Sequence, residues 1–253
     1  MRNTKILFIF ILFIGGWWLF FTPLYTVPII TYHAIPTNFA DTSFKVTLTR
    51  FYRQMEFIKN KGYKVISLSD YCQLLRRKEK LPKNLVVITF DDGYKDNLWA
   101  VNILKQFNFP ATIFLIPNKI DKKNYLSSKD IEWFLNNTKV KIGSHTLTHS
   151  YLPQLDDASL IREIKDSKEI LEKKFRVNVD TIAYPLGGFD HRVLKTVEGC
   201  GYICGVTTNR GLSKNDNIYA LKRIKISERD LGIRLWAKLS GFYSVFKRSP
   251  KQR

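Results

Sequence analysis

Two adjacent aspartates, Asp91 and Asp92, follow an apolar segment that reads LVVITF and precede Gly93. Neighbouring residues of extended backbone point to different sides. One carboxylate could therefore bind a metal ion while the other takes a proton from a water molecule. The carboxyl ends of buried strands are where α/β folds build their sites. A turn with two solvated acids has the same pattern, so these residues alone do not establish a site.

Two histidines, His145 and His149, follow a second apolar segment, 140–144. A single helical turn would bring both imidazoles to one side. Two histidines, one carboxylate and a water molecule make up a common catalytic zinc site. Such pairs also arise by chance on protein surfaces. However, the chain has only four histidines, and this pair follows its apolar segment as the two aspartates follow theirs. The conjunction predicts a metal site.

A third segment, residues 183–188, reads AYPLGG and predicts a short strand that ends in a turn of proline and glycine. The backbone N–H groups of such a turn could face an oxyanion. Taken alone, the segment is an ordinary turn.

In this order, TFDDG, HTLTH and AYPLG resemble the polysaccharide deacetylases of carbohydrate esterase family four, which share the NodB homology domain. The resemblance covers roughly residues 27–226. It implies a distorted (β/α) barrel and removal of acetyl groups from an N-acetylated polysaccharide, which is hydrolysis of a linear amide C–N bond. The expected substrate is an extracellular or cell-wall polymer that contains N-acetylglucosamine.

The resemblance also implies roles for individual residues. Asp91 is the expected general base, and Asp92, His145 and His149 are the expected ligands of a divalent metal, most often zinc. The backbone N–H of Leu186 is expected to stabilise the oxyanion of the reacting acetamide.

A leaving amine needs a proton, and two further histidines, His33 and His191, are available. His33 ends the segment ITYH, and the Tyr-His pair resembles the branch of the family that acts on poly-N-acetylglucosamine and related exopolysaccharides. We therefore predict that His33 is the general acid, although a histidine at a strand end can also cap or pack. His191 follows Asp190 at a predicted helix start, where we expect it to be exposed.

The sequence departs from the family at Ala183, where many members carry an arginine that orients the base. We predict that Arg223, near the end of the last strand, supplies this charge, although the histidine usual in that region is absent. If it does not, the alternative is a catalytically inactive, membrane-tethered glycan-binding protein on the same fold.

The order of elements predicts an α/β fold, a distorted barrel of about seven or eight parallel strands. Apolar runs of strand length alternate with stretches of helical period. The predicted helices include 48–61, 96–107 and 156–175. The predicted strands are 27–32, 63–67, 85–90, 111–116, 140–144, 181–184, 202–207 and 221–226.

The first 25 residues predict one transmembrane helix ahead of the barrel. Residues 6–25 contain no charge, and their length is close to the roughly 20 residues that a membrane-spanning helix needs. Arg2 and Lys5 precede this run, which places the N-terminus in the cytoplasm and the catalytic domain, 26–227, outside. We therefore expect a single-pass protein of the cell membrane. A cleaved signal peptide is the alternative.

The last segment, 228–253, predicts a basic amphipathic helix and tail. Such a helix either packs on the barrel or lies on an anionic membrane. The chain has 41 lysines and arginines against 22 acidic residues. Its expected partners, besides the polysaccharide, are anionic lipids or wall polymers, and the expected export argues against nucleic acid. The three cysteines, Cys72, Cys200 and Cys204, are expected to be buried apolar residues, neither metal ligands nor a disulfide framework.

Overall fold

The computed structural model describes residues 26–37, 45–210 and 217–240. The predicted membrane anchor, 1–25, and the basic tail beyond residue 240 lie outside these residues. Within the described ranges, no helix is both long and apolar enough to cross a membrane.

Eight parallel strands form the centre of the fold. Seven of them close into a ring in the order β1, β8, β7, β6, β5, β4, β3, because β1 also pairs with β3. The strand β2 pairs with the first half of β3. The predicted barrel of seven or eight strands is therefore confirmed. The strands are β1 Ile29–Tyr32, β2 Lys64–Ile66, β3 Leu85–Phe90, β4 Ala111–Leu115, β5 Val140–Ser144, β6 Thr181–Ala183, β7 Cys204–Arg210 and β8 Leu221–Lys225.

The apolar sequences of β1, β3 and β4 explain their position, since every residue in these three strands is buried. Strands covered on both faces carry continuous apolar runs of this kind. The ring is distorted in two places. A single residue pair, Ser144 and Ile182, joins β5 to β6, and the register between β7 and β8 shifts after Thr207.

Seven helices in the described residues surround or cap the barrel. The three predicted helices are confirmed to within one residue at each end. Side chains accept the N-terminal hydrogen bonds of most of these helices, as Asp156 does for α5 and Asp190 for α6. The helices are α1 Leu48–Asn60, α2 Leu68–Arg76, α3 Asn97–Phe107, α4 Ser128–Asn137, α5 Asp157–Phe175, α6 His191–Gly199 and α7 Ile233–Leu239.

The described part of the C-terminal segment packs on the barrel. Leu235 and Leu239 of α7 are fully buried in the main hydrophobic core. Just before α7, the carboxylate of Glu228 accepts hydrogen bonds from the backbone N–H and the hydroxyl of Thr47. The helix begins at Ile233, five residues later than predicted, and its described part packs on the barrel.

The helix α2 covers the amino-terminal end of the barrel. Ser69 donates a hydrogen bond to Asp180, and Arg76 donates to the carbonyl of Ile203 and the hydroxyl of Tyr219. Each of these partners lies just before a strand begins. The apolar face of α2 joins a cluster of buried residues from inside the ring.

The cysteines correct one expectation from the sequence. Cys72 of α2 and Cys204 of β7 are both buried, as expected, but they form a disulfide. Cys200 is unpaired and half-buried. The pair was not predicted because its members are 132 residues apart in sequence, and only the docking of α2 on the barrel brings them together.

Candidate active site

The predicted site residues come together at the carboxyl end of the barrel. His33 follows β1, the two aspartates follow β3, and His145 follows β5. These residues, with His149 and Leu186, line one open cavity of about 920 Å³. Arg223 lies in β8 and is almost fully buried, in direct contact with Asp91. His191 is exposed, lies outside this cavity and starts α6, as predicted.

The three predicted metal ligands form a compact cluster. The Oδ1 atom of Asp92 lies 3.5 Å from Nε2 of His145 and 3.4 Å from Nε2 of His149. One ligand atom from each residue lies within 4.8 Å of the other two. Two imidazoles and one carboxylate are the donor set of many catalytic zinc sites. The cluster therefore fits a divalent metal.

Hydrogen bonding to His145 supports this assignment. Its Nδ1 atom lies 2.8 Å from the carbonyl oxygen of Ala183, at the end of β6. A carbonyl can only accept, so Nδ1 carries the proton and Nε2 presents its lone pair to the cluster. Metal-ligating histidines are commonly oriented in this way. Ala183, which stands where many family members carry an arginine, thus orients the His145 ring through its backbone carbonyl.

Asp91 is held by the fork of Arg223. The two guanidinium nitrogens of Arg223 donate to the two carboxylate oxygens at 2.6 and 2.7 Å. The guanidinium also donates to the hydroxyls of Thr31 and Thr89 and to the carbonyl of Thr207. This bidentate geometry fixes both the position and the plane of the carboxylate.

The same pair determines the charge of Asp91. Burial by itself raises the pKa of this carboxyl, but the charge and hydrogen bond of Arg223, together with the charges of His145 and His33, hold the pKa well below its usual value. Asp91 is therefore ionised at neutral pH, as a general base must be. Arg223 thus contacts the predicted base directly, as its predicted role requires.

His33 lies beside this ion pair. Its Nε2 atom is 3.8 Å from Oδ2 of Asp91, and its side chain is 20% exposed to the cavity. Burial lowers the pKa of His33, and the charges of Asp91 and Asp92 partly offset this effect. The position suits an exchange of protons with a molecule in the cavity.

The turn that contains Leu186 closes the cavity on another side. Its hydrogen bonds run from the N–H groups of Gly187 and Gly188 to the carbonyls of Tyr184 and Pro185. The N–H of Leu186 lies in the first part of this turn, where helical turns leave donors without an internal partner. Gly187 is required here, since a Cβ would come within 2.2 Å of the Thr208 hydroxyl.

The backbone is strained around the cavity. Four non-glycine residues have positive φ angles, and each such residue costs roughly 1–3 kcal/mol. They are Asp92 (71°), Thr146 (63°), His149 (74°) and Leu186 (54°). Three of them are predicted site residues, and the fourth lies between the two histidines. Strain of this kind persists where surrounding contacts impose it, which is typical of functional sites.

The aromatic residues near the site differ in role. Trp99 is 52% exposed and lines the cavity, whereas Tyr184 is fully buried and donates a hydrogen bond to the carbonyl of Tyr219. Tyr94 also lines the cavity, and its pKa is raised by burial and then by the charge of Asp92. Trp99 and Tyr94 thus line the cavity, and Trp99 is the more exposed of the two.

Comparisons with known proteins decide the family. A sequence model of the family described as polysaccharide deacetylase matches residues 78–205, which include both aspartates and both histidines of the cluster. The chain belongs to the polysaccharide deacetylase family. It is therefore a hydrolase that cleaves an amide bond of an N-acetylated polysaccharide.

Individual relatives agree with this assignment. The chain is 32% identical over 203 residues to YxkH of Bacillus subtilis, which is named as a polysaccharide deacetylase, across 79% of this chain and 71% of that protein. It is 26% identical over 202 residues to the poly-beta-1,6-N-acetyl-D-glucosamine N-deacetylase of Staphylococcus aureus, across 74% of this chain and 69% of that one. Among solved structures, the deacetylase PplD of Streptococcus pyogenes, in complex with acetate, superimposes with a TM-score of 0.78 at 29% identity. That match covers 85% of this chain and 98% of PplD.

Sequence reasoning missed several residues that shape the site. Thr31 and Thr89 fix the guanidinium of Arg223, and Glu163 contacts the segment between the two histidines. No motif in the sequence marks Thr31 or Glu163, because each lies in a strand or helix as an ordinary polar residue. The apolar surroundings of Thr89 in β3 are a weak signal, since a polar residue in a buried strand needs a partner.

Proposed function

We propose that this protein removes acetyl groups from an extracellular or cell-wall polymer containing N-acetylglucosamine, in a reaction that depends on a divalent metal, most often zinc. One observation carries the proposal. An ionised, buried Asp91, held by Arg223, lies next to a cluster of Asp92, His145 and His149 at the base of an open cavity. The substrate class is suggested by the named activity of the Staphylococcus aureus relative.

The site residues have separate roles in this reaction. Asp92, His145 and His149 hold the metal. The chemistry that a divalent ion supplies in such a site is polarisation of a carbonyl oxygen and a lower pKa for water. Asp91 takes the proton from the attacking water molecule, because Arg223 keeps it ionised and orients it.

Two groups act on the acetamide itself. His33, in its protonated form, gives a proton to the leaving amine and returns to the neutral imidazole, and its partly exposed ring beside Asp91 is placed for this role. The backbone N–H of Leu186 donates a hydrogen bond to the oxyanion that forms at the carbonyl.

The alternative of an inactive glycan-binding protein rested on Ala183. The bidentate contact of Arg223 with Asp91 supports the active alternative, because it supplies a fixed positive charge beside the base. No described residue favours the inactive alternative.

We further propose that the domain functions outside the cytoplasm, held by residues 1–25. The uncharged run 6–25, preceded by Arg2 and Lys5, supports this location. So does the Cys72–Cys204 disulfide, because disulfides persist in oxidising compartments. The excess of basic residues supports contact with anionic lipid or wall polymer.

The experiment is release of acetate by the full-length chain from oligomers of N-acetylglucosamine and from partly acetylated polymers. We expect activity that a chelator removes and zinc restores, and that Asp91→Asn lowers about 10²- to 10⁴-fold. The matched control is Asp70→Asn, at an exposed aspartate of α2. Acetate release that survives metal removal, or that Asp91→Asn leaves intact, would contradict the proposal.

A further inference from the structure

The segment that carries both histidine ligands is irregular and strained. It leaves β5 at Ser144 and reaches His149 with two residues, Thr146 and His149, in the left-handed region. Threonine, which is β-branched, does not favour this conformation. Contacts from elsewhere in the fold must therefore hold the segment in place.

The backbone N–H groups of residues 145–149 show where those contacts come from. His145 donates to the carbonyl of Leu115, Thr146 to the hydroxyl of Ser144, and His149 to the hydroxyl of Thr146. The two N–H groups in the middle, those of Leu147 and Thr148, both donate to Glu163 of α5.

Glu163 binds the segment through backbone and side chain together. Its carbonyl accepts from Leu147 at 3.0 Å, and its carboxylate accepts from the N–H of Thr148 at 2.9 Å and from the Thr148 hydroxyl at 2.6 Å. The residue is 8% exposed, so these bonds are largely shielded from water.

A second contact from α5 adds to this arrangement. The hydroxyl of Ser167 lies 2.7 Å from that of Ser144, which in turn accepts from the N–H of Thr146. Glu163 and Ser167 are one helical turn apart, so a single face of α5 contacts the segment at both ends. These contacts from α5 therefore fix the conformation of the segment that carries the two histidines.

We propose that Glu163 is a positioning residue that sets the spacing of the metal ligands His145 and His149. The inference rests on the proposed function, because it assumes that these histidines bind a metal. Glu163 touches neither histidine side chain in the described contacts. It acts through Thr148 and Leu147, which lie directly before His149.

The carboxylate itself is needed for this role. Glutamine has nearly the same shape but offers one acceptor oxygen, so one of the two donors of Thr148 would face an NH2 group. Loss of partners outside the ligand shell commonly lowers metal affinity by about 10- to 100-fold. A defect of this size in metal binding is the expected signature.

The test measures zinc affinity of the full-length chain by competition with a chromophoric chelator, without substrate. We expect Glu163→Gln to weaken zinc binding about 10- to 100-fold. The control is Glu169→Gln on the same helix, where the glutamate is exposed and pairs with Lys165. Circular dichroism and thermal unfolding of the metal-free proteins establish that each variant is folded.

A second pair of variants keeps the test decisive if Glu163→Gln does not fold. Thr148→Val removes the hydroxyl that donates to Glu163, whereas Thr148→Ser keeps it. We expect weaker zinc binding for valine and near wild-type binding for serine. Wild-type zinc affinity in a folded Glu163→Gln or in Thr148→Val overturns the proposal.

The outcomes also separate this inference from the proposed function. A wild-type chain that binds zinc but releases no acetate from any glycan contradicts the proposed function and leaves the role of Glu163 intact. A wild-type chain that binds no divalent ion overturns both.

Discussion

The two ends of the barrel differ in how they are held. The carboxyl end carries four non-glycine residues in the left-handed region and a cavity lined by charged side chains. The amino-terminal end is filled by an apolar cluster and covered by α2, which a disulfide joins to β7. The carboxyl end thus combines open polar surface with left-handed residues around the cavity, whereas the amino-terminal end is densely packed with apolar side chains. In barrels of this type, the carboxyl end serves catalysis and the opposite end stability.

Arg223 contributes to both the site and the packing of the barrel. Arg223 belongs to the site, yet it is 1% exposed and makes its hydrogen bonds to β1, β3 and β7 within the barrel. Its guanidinium also lies 5.5 Å from the centre of the Phe114 ring. Changes at Arg223 should therefore affect stability and activity together, whereas other changes should affect mainly one.

The largest effect is expected for Arg223→Met, which leaves the buried carboxylate of Asp91 without its partner. Breaking a buried ion pair in this way costs about 3–5 kcal/mol of unfolding free energy. Acetate release should fall about 10²-fold or more, because the base loses its orientation. Urea unfolding and steady-state kinetics measure the two effects. Arg223→Lys keeps the charge without the fork and should lie in between, and a stable, active Arg223→Met variant would refute the role of this contact.

At the opposite end, we expect the double variant Cys72→Ala, Cys204→Ala to lose stability and keep its chemistry. The disulfide spans a sequence separation of 132 residues. A disulfide that closes a loop of this length stabilises the folded state by about 3–5 kcal/mol. Urea unfolding should show this loss, while zinc affinity and kcat at 25 °C stay near wild type.

Cys200→Ala is the matched control for the double variant, since Cys200 is unpaired and half-buried. It should change the unfolding free energy by less than about 1 kcal/mol. If loss of the disulfide lowered kcat as much as stability, the two ends of the barrel would not be separable.

The disulfide also marks the limit of what the sequence predicts. The strands and three helices were predicted closely, because apolar runs and helical periodicity are local signals. Asp91, Asp92, His145 and His149 were predicted because each pair directly follows an apolar run. These features need only a few neighbouring residues.

Contacts between distant residues could not be found in this way. Asp91 and Arg223 are 132 residues apart, and Arg223 was proposed only because Ala183 left a role unfilled. The role of Glu163 was not predicted, because the helix carries several glutamates and nothing in the sequence distinguishes this one. Its role depends on how α5 packs against the loop after β5, which is a tertiary property.

A smaller effect, confined to the cavity, is expected for His33→Gln. Loss of a general acid should lower kcat about 10²-fold, which corresponds to roughly 3 kcal/mol of barrier. The unfolding free energy should change by less than about 1 kcal/mol, because the ring is partly exposed. Zinc affinity should not change. His191→Gln is the control at an exposed histidine outside the cavity, and equal kcat values for the two variants would exclude His33 as the acid.

The smallest effect is expected at the rim of the cavity, for Trp99→Ala. Trp99 is 52% exposed and lines the cavity, and we take about 0.5–1.5 kcal/mol, the value for an aromatic pair, as the scale of its contact with a sugar ring. We expect KM for long oligomers to rise about 2- to 10-fold with kcat unchanged. Trp133→Ala is the control, since Trp133 is 36% exposed on α4 and does not line this cavity. Because the rim binds substrate without touching the reacting atoms, a fall in kcat instead of a rise in KM would show that the rim and the metal cluster are one functional unit.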